Sequence, residues 1–199
     1  MTRTMARLVG LILLIACMPL LLILGLVVLV LQGRPVLFHQ MRSGKGGHPF
    51  KMVKFRSMRD LRDANGVPLP DDERVTAIGT FLRRSRLDEL PGLWNVATGD
   101  IAFIGPRPLL PETITGLGER GVMRGQVAPG LTGWSQVNGN TLLTLDEKID
   151  LDLWYIENRS LRTDCMVLIA TVWVMLGGEK RSKAIPARPA NRSNTQPAD

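Results

Sequence analysis

Two adjacent acids, Asp88 and Glu89, lie within RRSRLDELPGLWNV, residues 83–96, directly after several arginines and among leucines. Carboxylates are usually solvated, so an acidic pair with apolar neighbours marks a candidate site. A carboxylate can attack phosphorus and hold a covalent acyl phosphate. We therefore interpret Asp88 as a candidate nucleophile toward a phosphate group, with Glu89 as a second acid for a metal ion.

Such chemistry needs positive charge, because the nucleophile and a diphosphate repel each other. Two unit charges about 4 Å apart repel by roughly 4 kcal/mol at an effective dielectric of 20. Mg²⁺ and arginines can offset that repulsion, so we expect Mg²⁺ at Asp88 and Glu89. The alternative is that the pair is ordinary solvated charge, with Arg84 pairing with Asp88 four residues on.

Other polar residues are weaker candidates. Arg107 lies between two prolines in IGPRPLL, where it is either part of a stiff linker or an arginine held rigidly toward an anion. Gln136 and Asn138 are available for polar contacts in a turn-rich loop, residues 129–138. Asp152 and Asp164 are single acids that either bind metal or solvate a helix face, and their spacing favours solvation.

The elements around the acids follow from hydrophobic spacing and turn residues. Helical spacing over residues 74–87 and the proline at 91 put the acids at or near a helix end. Two β-type runs, 36–40 and 49–55, flank the glycine-rich stretch 43–47, which predicts a hairpin rather than a phosphate-binding loop. Residues 62–72 form a surface loop, and residues 145–158 an amphipathic helix.

The N-terminal segment 8–31 has about 24 residues without a charge, enough for a helix of roughly 36 Å. Pro19 interrupts it, and both flanks are basic. Since positive flanks favour the cytoplasm, a helix broken at Pro19 that re-enters by the same face and a plain transmembrane span both remain open. In either case the rest of the chain is expected on the cytoplasmic surface.

A second apolar run, residues 165–176, is too short to span a membrane. It fits an interfacial helix or a buried core helix equally well. The net charge of +7 fits anionic membrane lipids or a phosphorylated substrate. With only 5% aromatic residues and no DNA-binding motif we expect no nucleic-acid partner. Cys17 and Cys165 lie in apolar runs and are expected to be packing residues, not a disulfide.

Several motifs in order resemble the monotopic phosphoglycosyl transferases, the bacterial sugar transferase family. They are FLRRSRLDELPGLWNV, GDIAFIGPRPLLPE, PGLTGWSQVNG and LDLWYIENRSL, and the similarity runs from about residue 8 to 183. It implies an α+β, mostly helical fold with a re-entrant membrane helix broken at Pro19, a small β-hairpin, interfacial amphipathic helices and a cytoplasmic catalytic core. The expected division is 1–33 for the membrane helix, 34–183 for the core and 184–199 for a disordered tail.

The resemblance also implies an activity and roles. Family members transfer a sugar 1-phosphate from a UDP-sugar to undecaprenyl phosphate and release UMP, at the cytoplasmic face of the bacterial inner membrane. Asp88 would carry the covalent phosphosugar, and Glu89 would bind Mg²⁺ and assist the acceptor. Arg83 and Arg107 would hold phosphates or the nucleotide, while Asp152 and Asp164 would have supporting roles.

The chain departs from the family pattern at several positions. Met18 stands where serine often precedes the membrane-helix proline, and Arg86 where serine or threonine is usual. Ala128 and Asn140 replace expected basic residues. The loop RDANGVPLPDD resembles the small enzymes of bacillosamine-type glycosylation, which suggests an N-acetylated aminosugar such as diacetylbacillosamine. The alternative function is a non-enzymatic, basic domain that docks on anionic lipid or scaffolds a polysaccharide assembly complex.

Overall fold

The computed structural model describes residues 3–181 and shows an α+β, mostly helical chain. The helices are α1 Arg3–Ala16, α2 Met18–Gln32, α3 Asp71–Arg74, α4 Ala77–Arg84, α5 Leu93–Thr98, α6 Pro111–Gly116, α7 Glu119–Arg124, α8 Trp134–Val137, α9 Leu145–Glu157 and α10 Leu161–Gly177. The strands are β1 Leu37–Ser43, β2 Pro49–Phe55, β3 Ala102–Ile104 and β4 Gly130–Thr132. Single 3₁₀ turns cover Lys45–Gly47, Leu87–Gly92 and Asn140–Leu142. The expected tail, 184–199, lies outside the described residues.

The N-terminal apolar segment is a broken helix. Its halves meet at Cys17 with a bend of 59°, and Pro19 occupies the first turn of α2, where its missing N–H costs nothing. Over residues 3–181 no single helix is long and apolar enough to cross a bilayer. The two helices of this bent pair together have the required length and apolar composition. The break predicted at Pro19 is therefore present, two residues earlier in the chain.

Helix α1 packs closely on α5 because Gly10 lies against Val96, where a Cβ at position 10 would come within 2.9 Å of a Val96 methyl. The Arg7 guanidinium also donates to the Thr98 carbonyl. The opposite side of the helix pair carries many exposed apolar side chains, among them Ile12, Ile15, Leu22, Ile23, Leu26 and Val30. The broken helix thus presents a large apolar surface while its inner face is fixed to the core.

The predicted hairpin is confirmed. Strands β1 and β2 pair antiparallel from Leu37 opposite Phe55 to Ser43 opposite Pro49, so β1 runs three residues further than expected. The glycine-rich stretch between them makes the turn, with the Gly44 N–H donating to the His48 carbonyl.

The segment 129–138, expected to be a turn-rich loop, is in fact strand β4 followed by helix α8. Strand β4 pairs in parallel with β3, and both have three residues, too few for a periodic pattern in the sequence. Small residues allow the close approach, because a Cβ on Gly133 would lie 2.0 Å from the Gly105 carbonyl oxygen. This contact fixes the start of the Gly-Pro-Arg-Pro segment.

The two C-terminal helices behave differently. Helix α9 is confirmed and begins at a capping box, in which the Thr144 and Glu147 side chains each bond the other's backbone N–H. It buries Ile149, Leu151, Leu153 and Tyr155. Helix α10 begins at Leu161, four residues before the predicted apolar run, and buries mainly Thr163, Val167 and Val174.

Most apolar side chains of α10 are exposed, including Trp173 at 70%. The buried-core interpretation of this segment is therefore wrong for its outer face. Cys165 is exposed on that face and Cys17 is half-buried, and both are free thiols. The expectation that they form no disulfide is confirmed, whereas a packing role for Cys165 is wrong.

Candidate functional site

A backbone break between α4 and α5 places the acidic pair. Helix α4 is capped by the Thr76 hydroxyl and ends at Arg84, so it is shorter than the predicted helix over 74–87. Arg86 then adopts a left-handed conformation with φ 55°. The chain re-forms as the 3₁₀ turn Leu87–Gly92, which carries both acids. Because Asp88 is not on the same helix as Arg84, the alternative ion pair between them is not formed among residues 3–181.

Asp88 is 7% exposed and accepts no hydrogen bond from the described residues. Burial and the neighbouring Glu89 charge raise its pKa to about 6, against the opposing effects of Lys54, Arg107 and Arg83. An ionised carboxylate here is less well solvated than in water, which makes it a better nucleophile. Trp94, which follows the acids closely in the sequence, does not enclose them and is 55% exposed.

Glu89 has a different environment. Its carboxylate accepts a 2.7 Å hydrogen bond from Arg107. Burial by itself would raise the pKa of Glu89, but Arg107 and Arg86 outweigh that effect and hold the pKa below its usual range. Glu89 is therefore the more readily ionised member of the pair, and Asp88 the one that titrates closer to neutral pH.

Arg107 is held rigidly from both sides. Its carbonyl accepts a hydrogen bond from Arg124, which forms a buried ion pair of 2.7 Å with Asp152. Asp152 also accepts a 2.7 Å hydrogen bond from Ser135. Burial raises the pKa of Asp152, with Arg124 opposing. Asp152 thus acts as a positioning residue for the Arg107 backbone, not as a surface acid or a residue in the cavity.

The acids lie in a cavity of about 210 Å³ lined by charged side chains from distant parts of the chain. Arg83, predicted to bind phosphate, lines it and donates to the Ser57 hydroxyl at 2.9 Å. The full lining is Lys54, Arg83, Arg86, Asp88, Glu89, Arg107, Asn140, Thr141 and Glu179. Four cations facing three carboxylates suit a ligand that carries several negative charges.

The sequence interpretation missed Lys54, Thr141 and Glu179 as members of this cavity. Lys54 had a usable signal, because it alternates with Val53 and Phe55 in a strand and so faces the opposite side. Burial lowers the pKa of Lys54, with Asp88 opposing. Glu179 follows α10 and reaches Arg86 across 93 positions of sequence, which no local pattern reveals.

Besides Asp152, three predicted residues lie away from the cavity. The Gln136 side chain is buried and donates to the Leu131 carbonyl at 3.2 Å, while its backbone carbonyl accepts from Arg86. The Asn138 amide donates to the Trp134 carbonyl at 2.8 Å. Asp164 accepts a 2.6 Å hydrogen bond from the Tyr155 hydroxyl and so joins α10 to α9.

The acidic pair fits Mg²⁺ held in the way that substrate-bridging sites hold it. Over residues 3–181 there is no group of three or more acidic, histidine or cysteine ligands. Mg²⁺ commonly binds one or two carboxylates and completes its shell with waters and substrate phosphates. The Asp88 carboxylate and the second oxygen of Glu89 accept no hydrogen bond within the described part of the chain, so both are available for that role.

An apolar groove of about 670 Å³ lies on the other side of strand β2 from the charged cavity. Val53 and Phe55 face the groove, whereas Lys54 between them faces the cavity. The 3₁₀ turn also contributes to both sides, because Pro91 lines the groove whereas Asp88 and Glu89 line the cavity. The remaining apolar lining comes from Leu14, Leu21, Leu22, Leu26, Leu29, Val36, Leu37 and Trp94. A ligand with a charged head and a long apolar tail would find both environments within one strand's thickness.

Comparison with known proteins gives a consistent result. Residues 1–178 match the family described as bacterial sugar transferases. The chain is 44% identical over 147 residues to the uncharacterized sugar transferase EpsL of Bacillus subtilis (strain 168), covering 74% of this chain and 73% of that protein.

Two longer relatives have named substrates. The UDP-glucose:undecaprenyl-phosphate glucose-1-phosphate transferase of Xanthomonas campestris pv. campestris is 39% identical over 183 residues, covering 86% of this chain and 38% of that protein. The UDP-N-acetylgalactosamine-undecaprenyl-phosphate N-acetylgalactosaminephosphotransferase of Aeromonas hydrophila is 36% identical over 169 residues, covering 80% and 40%. The chain spans well under half the length of these two relatives.

Proposed function

Because the chain belongs to the bacterial sugar transferase family, we propose that it transfers a sugar 1-phosphate from a UDP-sugar to undecaprenyl phosphate and releases UMP. The observation that carries this proposal is Asp88, a buried carboxylate with a pKa raised to about 6 inside a cavity lined by four cations. The names of the relatives supply the substrate classes.

The reaction proceeds in two displacements at one phosphorus. An oxygen of Asp88 attacks the phosphorus that carries the sugar, and the bond to the bridging oxygen breaks, so UMP leaves with the electron pair. A phosphate oxygen of the acceptor then attacks the same phosphorus. The bond to Asp88 breaks, which regenerates the carboxylate and yields the lipid diphosphate sugar.

The surrounding residues support both displacements. Arg107, fixed by Glu89, and Arg83, fixed by Ser57, offset the charge of the diphosphate. Asp88 and Glu89 would hold Mg²⁺, which would supply further neutralisation of the phosphate oxygens. Lys54 favours the ionised form of Asp88 and so keeps the nucleophile ready near neutral pH.

The apolar surfaces support a lipid acceptor. We propose that the bent pair α1–α2 enters and leaves the cytoplasmic face of the bacterial inner membrane, since both flanks are basic and the pair is bent by 59°. The apolar groove beside β2 would receive the first part of the polyprenyl chain. Anionic lipids would complement the net charge of +7.

For the sugar, we propose an N-acetylated aminosugar such as diacetylbacillosamine, based on the resemblance of the loop RDANGVPLPDD to that class of enzyme. The Xanthomonas relative's name makes UDP-glucose the second candidate. A screen of UDP-sugars for UMP release in the presence of a polyprenyl phosphate distinguishes them.

The test of the reaction class is exchange without acceptor. Purified chain, Mg²⁺ and the active UDP-sugar should exchange labelled UMP into the donor, because the first displacement is reversible and independent of the lipid. Lipid binding with no exchange and no UMP release for any UDP-sugar would favour the non-enzymatic docking or scaffold alternative.

A further inference from the structure

The Glu179 carboxylate lies in a pocket of hydrogen-bond donors on the wall of the charged cavity. Arg86 donates to one oxygen at 3.1 Å, and the Asn140 amide donates to the same oxygen. The Thr141 backbone N–H donates to the other oxygen at 3.2 Å, and the Thr141 hydroxyl also donates to it. Four donors thus converge on one carboxylate, two on each oxygen.

This donor set is suited to phosphate. An arginine fork, a side-chain amide, a hydroxyl and a backbone N–H are the groups that bind phosphate oxygens in proteins. Arg86, Asn140 and Thr141 all line the cavity that contains Asp88. A phosphate group bound here would therefore lie in the same enclosure as the nucleophile.

The donors are fixed independently of Glu179. Arg86 is set by its left-handed backbone and by its 3.0 Å hydrogen bond to the Gln136 carbonyl. Asn140 and Thr141 belong to a 3₁₀ turn that follows Gly139, where φ is 138°. Removing the carboxylate would leave the three donor residues in place, with Arg86 still held by the Gln136 carbonyl.

Glu179, by contrast, follows Gly177, the last residue of α10, and Gly178, which caps the helix. Gly178 has φ 78°, a conformation that glycine adopts without strain. Arg181, two residues further on, pairs with Glu147 of α9. Glu179 therefore lies on a short segment between Gly178 and Arg181, and rotation about the glycine would withdraw its side chain from the donors. Helix α10 itself exposes its apolar face. Only Gly177 and Gly178 separate that face from Glu179, so a membrane contact of α10 would bear on the position of the carboxylate.

We propose that Arg86, Asn140 and Thr141 form a phosphate subsite that Glu179 occupies in the ligand-free protein and vacates when a substrate phosphate binds. The proposal deepens the proposed function, on which it rests for the identity of the phosphate. That phosphate belongs either to the UDP-sugar or to the lipid acceptor, and the chemistry of the subsite is the same for both.

The test measures binding of inorganic pyrophosphate, UMP and farnesyl phosphate to the full chain in detergent by calorimetry. Glu179→Gln and Glu179→Ala should both bind at least one probe more tightly than wild type. If the carboxylate occupies the subsite in about nine of ten molecules, its removal tightens binding about tenfold. Tighter UMP binding assigns the subsite to the donor, and tighter farnesyl phosphate binding to the acceptor.

Two controls make the result specific. Glu157→Gln removes one exposed negative charge at the end of α9 and should leave all three affinities unchanged. Thr141→Val, which removes only a hydroxyl, should reverse most of the gain when added to Glu179→Gln. If both Glu179 variants bind every probe as wild type does or more weakly, Glu179 merely fixes Arg86 and the proposal is overturned.

Failure of the proposed function gives a different pattern. In that case no UDP-sugar is turned over by any variant, yet pyrophosphate still binds more tightly to Glu179→Gln. Persistence of the gain after Thr141→Val would instead show that the phosphate binds elsewhere, and would overturn the subsite while leaving the transferase assignment intact.

Discussion

At the scale of single residues, the acidic pair divides into two carboxylates with opposite electrostatic behaviour. The pKa of Asp88 is raised because burial and Glu89 outweigh the nearby cations, whereas the pKa of Glu89 is lowered because Arg107 and Arg86 outweigh burial. Two titratable groups whose environments separate their pKa values are typical of catalytic sites. The pair therefore has the electrostatics of one nucleophile and one fixed anion.

The raised pKa of Asp88 predicts how the first displacement depends on pH. Only the ionised carboxylate attacks, so kcat/KM for the UDP-sugar should fall about tenfold per pH unit below about 6 and level off above it. Lys54→Met removes a charge that lowers the pKa of Asp88, so its inflection should move to higher pH. Lys51→Met is the control and should leave the inflection unchanged. An unchanged inflection in Lys54→Met, or an equal shift in Lys51→Met, would contradict this assignment.

The same pKa predicts a stability cost. Above pH 6 Asp88 is charged in both the folded and unfolded states, and only the folded state buries that charge. Below its ordinary pKa of 3.8 it is neutral in both states and the cost is absent. A raise from 3.8 to about 6 corresponds to about 3 kcal/mol.

Asp88→Asn should therefore increase the free energy of unfolding at pH 8, by up to about 3 kcal/mol, and make little difference near pH 4. Thermal melts of metal-free protein in detergent at the two pH values measure this, with Asp72→Asn as an exposed control. A destabilised Asp88→Asn at pH 8 would show that the carboxylate is structural.

Residue types and neighbours in sequence were enough to identify Asp88, Glu89 and Arg107, and the family resemblance added Arg83; all four line one cavity. They were not enough for Gln136 and Asn138, whose polar groups bond nearby backbone carbonyls. Lys54 could have been found from its alternation with Val53 and Phe55 in a strand. Glu179 could not, because the return of α10 brings it to Arg86 from 93 positions away in the sequence.

At the scale of elements, the broken N-terminal helix is the element on which the proposed membrane re-entry depends. Long elements with clear periodicity, namely the hairpin, α9 and the broken helix, were predictable. The three-residue strands β3 and β4 were not, since their pairing depends on Gly105 and Gly133 approaching in space. Helix α4 ends earlier than predicted because Arg86 adopts a left-handed backbone conformation. Arginine rarely adopts that conformation, so the sequence did not predict the break.

Pro19→Leu should restore a helix hydrogen bond and remove a penalty of about 3 kcal/mol against a continuous helix. We expect part of the protein to change from a re-entrant to a spanning form, with its N-terminus in the periplasm. Protease accessibility of an N-terminal tag in spheroplasts measures this. Leu20→Ala is the matched control. A periplasmic N-terminus in the wild-type chain would contradict re-entry.

At the scale of the whole molecule, the exposed apolar faces of α1, α2 and α10 and the charged cavity have to meet at one lipid boundary. The proposed substrates would require this arrangement, because a UDP-sugar is water-soluble and a polyprenyl phosphate is not. Strand β2 lies between the cavity and the apolar groove, so the head and tail of the proposed acceptor would be separated by one element.

If α10 lies in the headgroup layer, Trp173 should be in contact with lipid, while Trp134 and Trp154 remain stacked on each other at 4.7 Å. Brominated lipids should therefore quench the wild-type fluorescence, and Trp173→Phe should lose a distinct part of that quenching. Trp154→Phe should not. Equal quenching in wild type and Trp173→Phe would place α10 away from the bilayer.

The most direct measurement is the intact mass of the chain after rapid mixing with Mg²⁺ and its active UDP-sugar, without acceptor. We predict a mass increase equal to one sugar phosphate, mapped to Asp88 by peptide analysis and removed when polyprenyl phosphate is added. Asp88→Asn should show neither the adduct nor UMP release, while Asp72→Asn shows both. Full turnover by Asp88→Asn, or wild-type turnover with no adduct on Asp88 at any quench time, would contradict the two-displacement account.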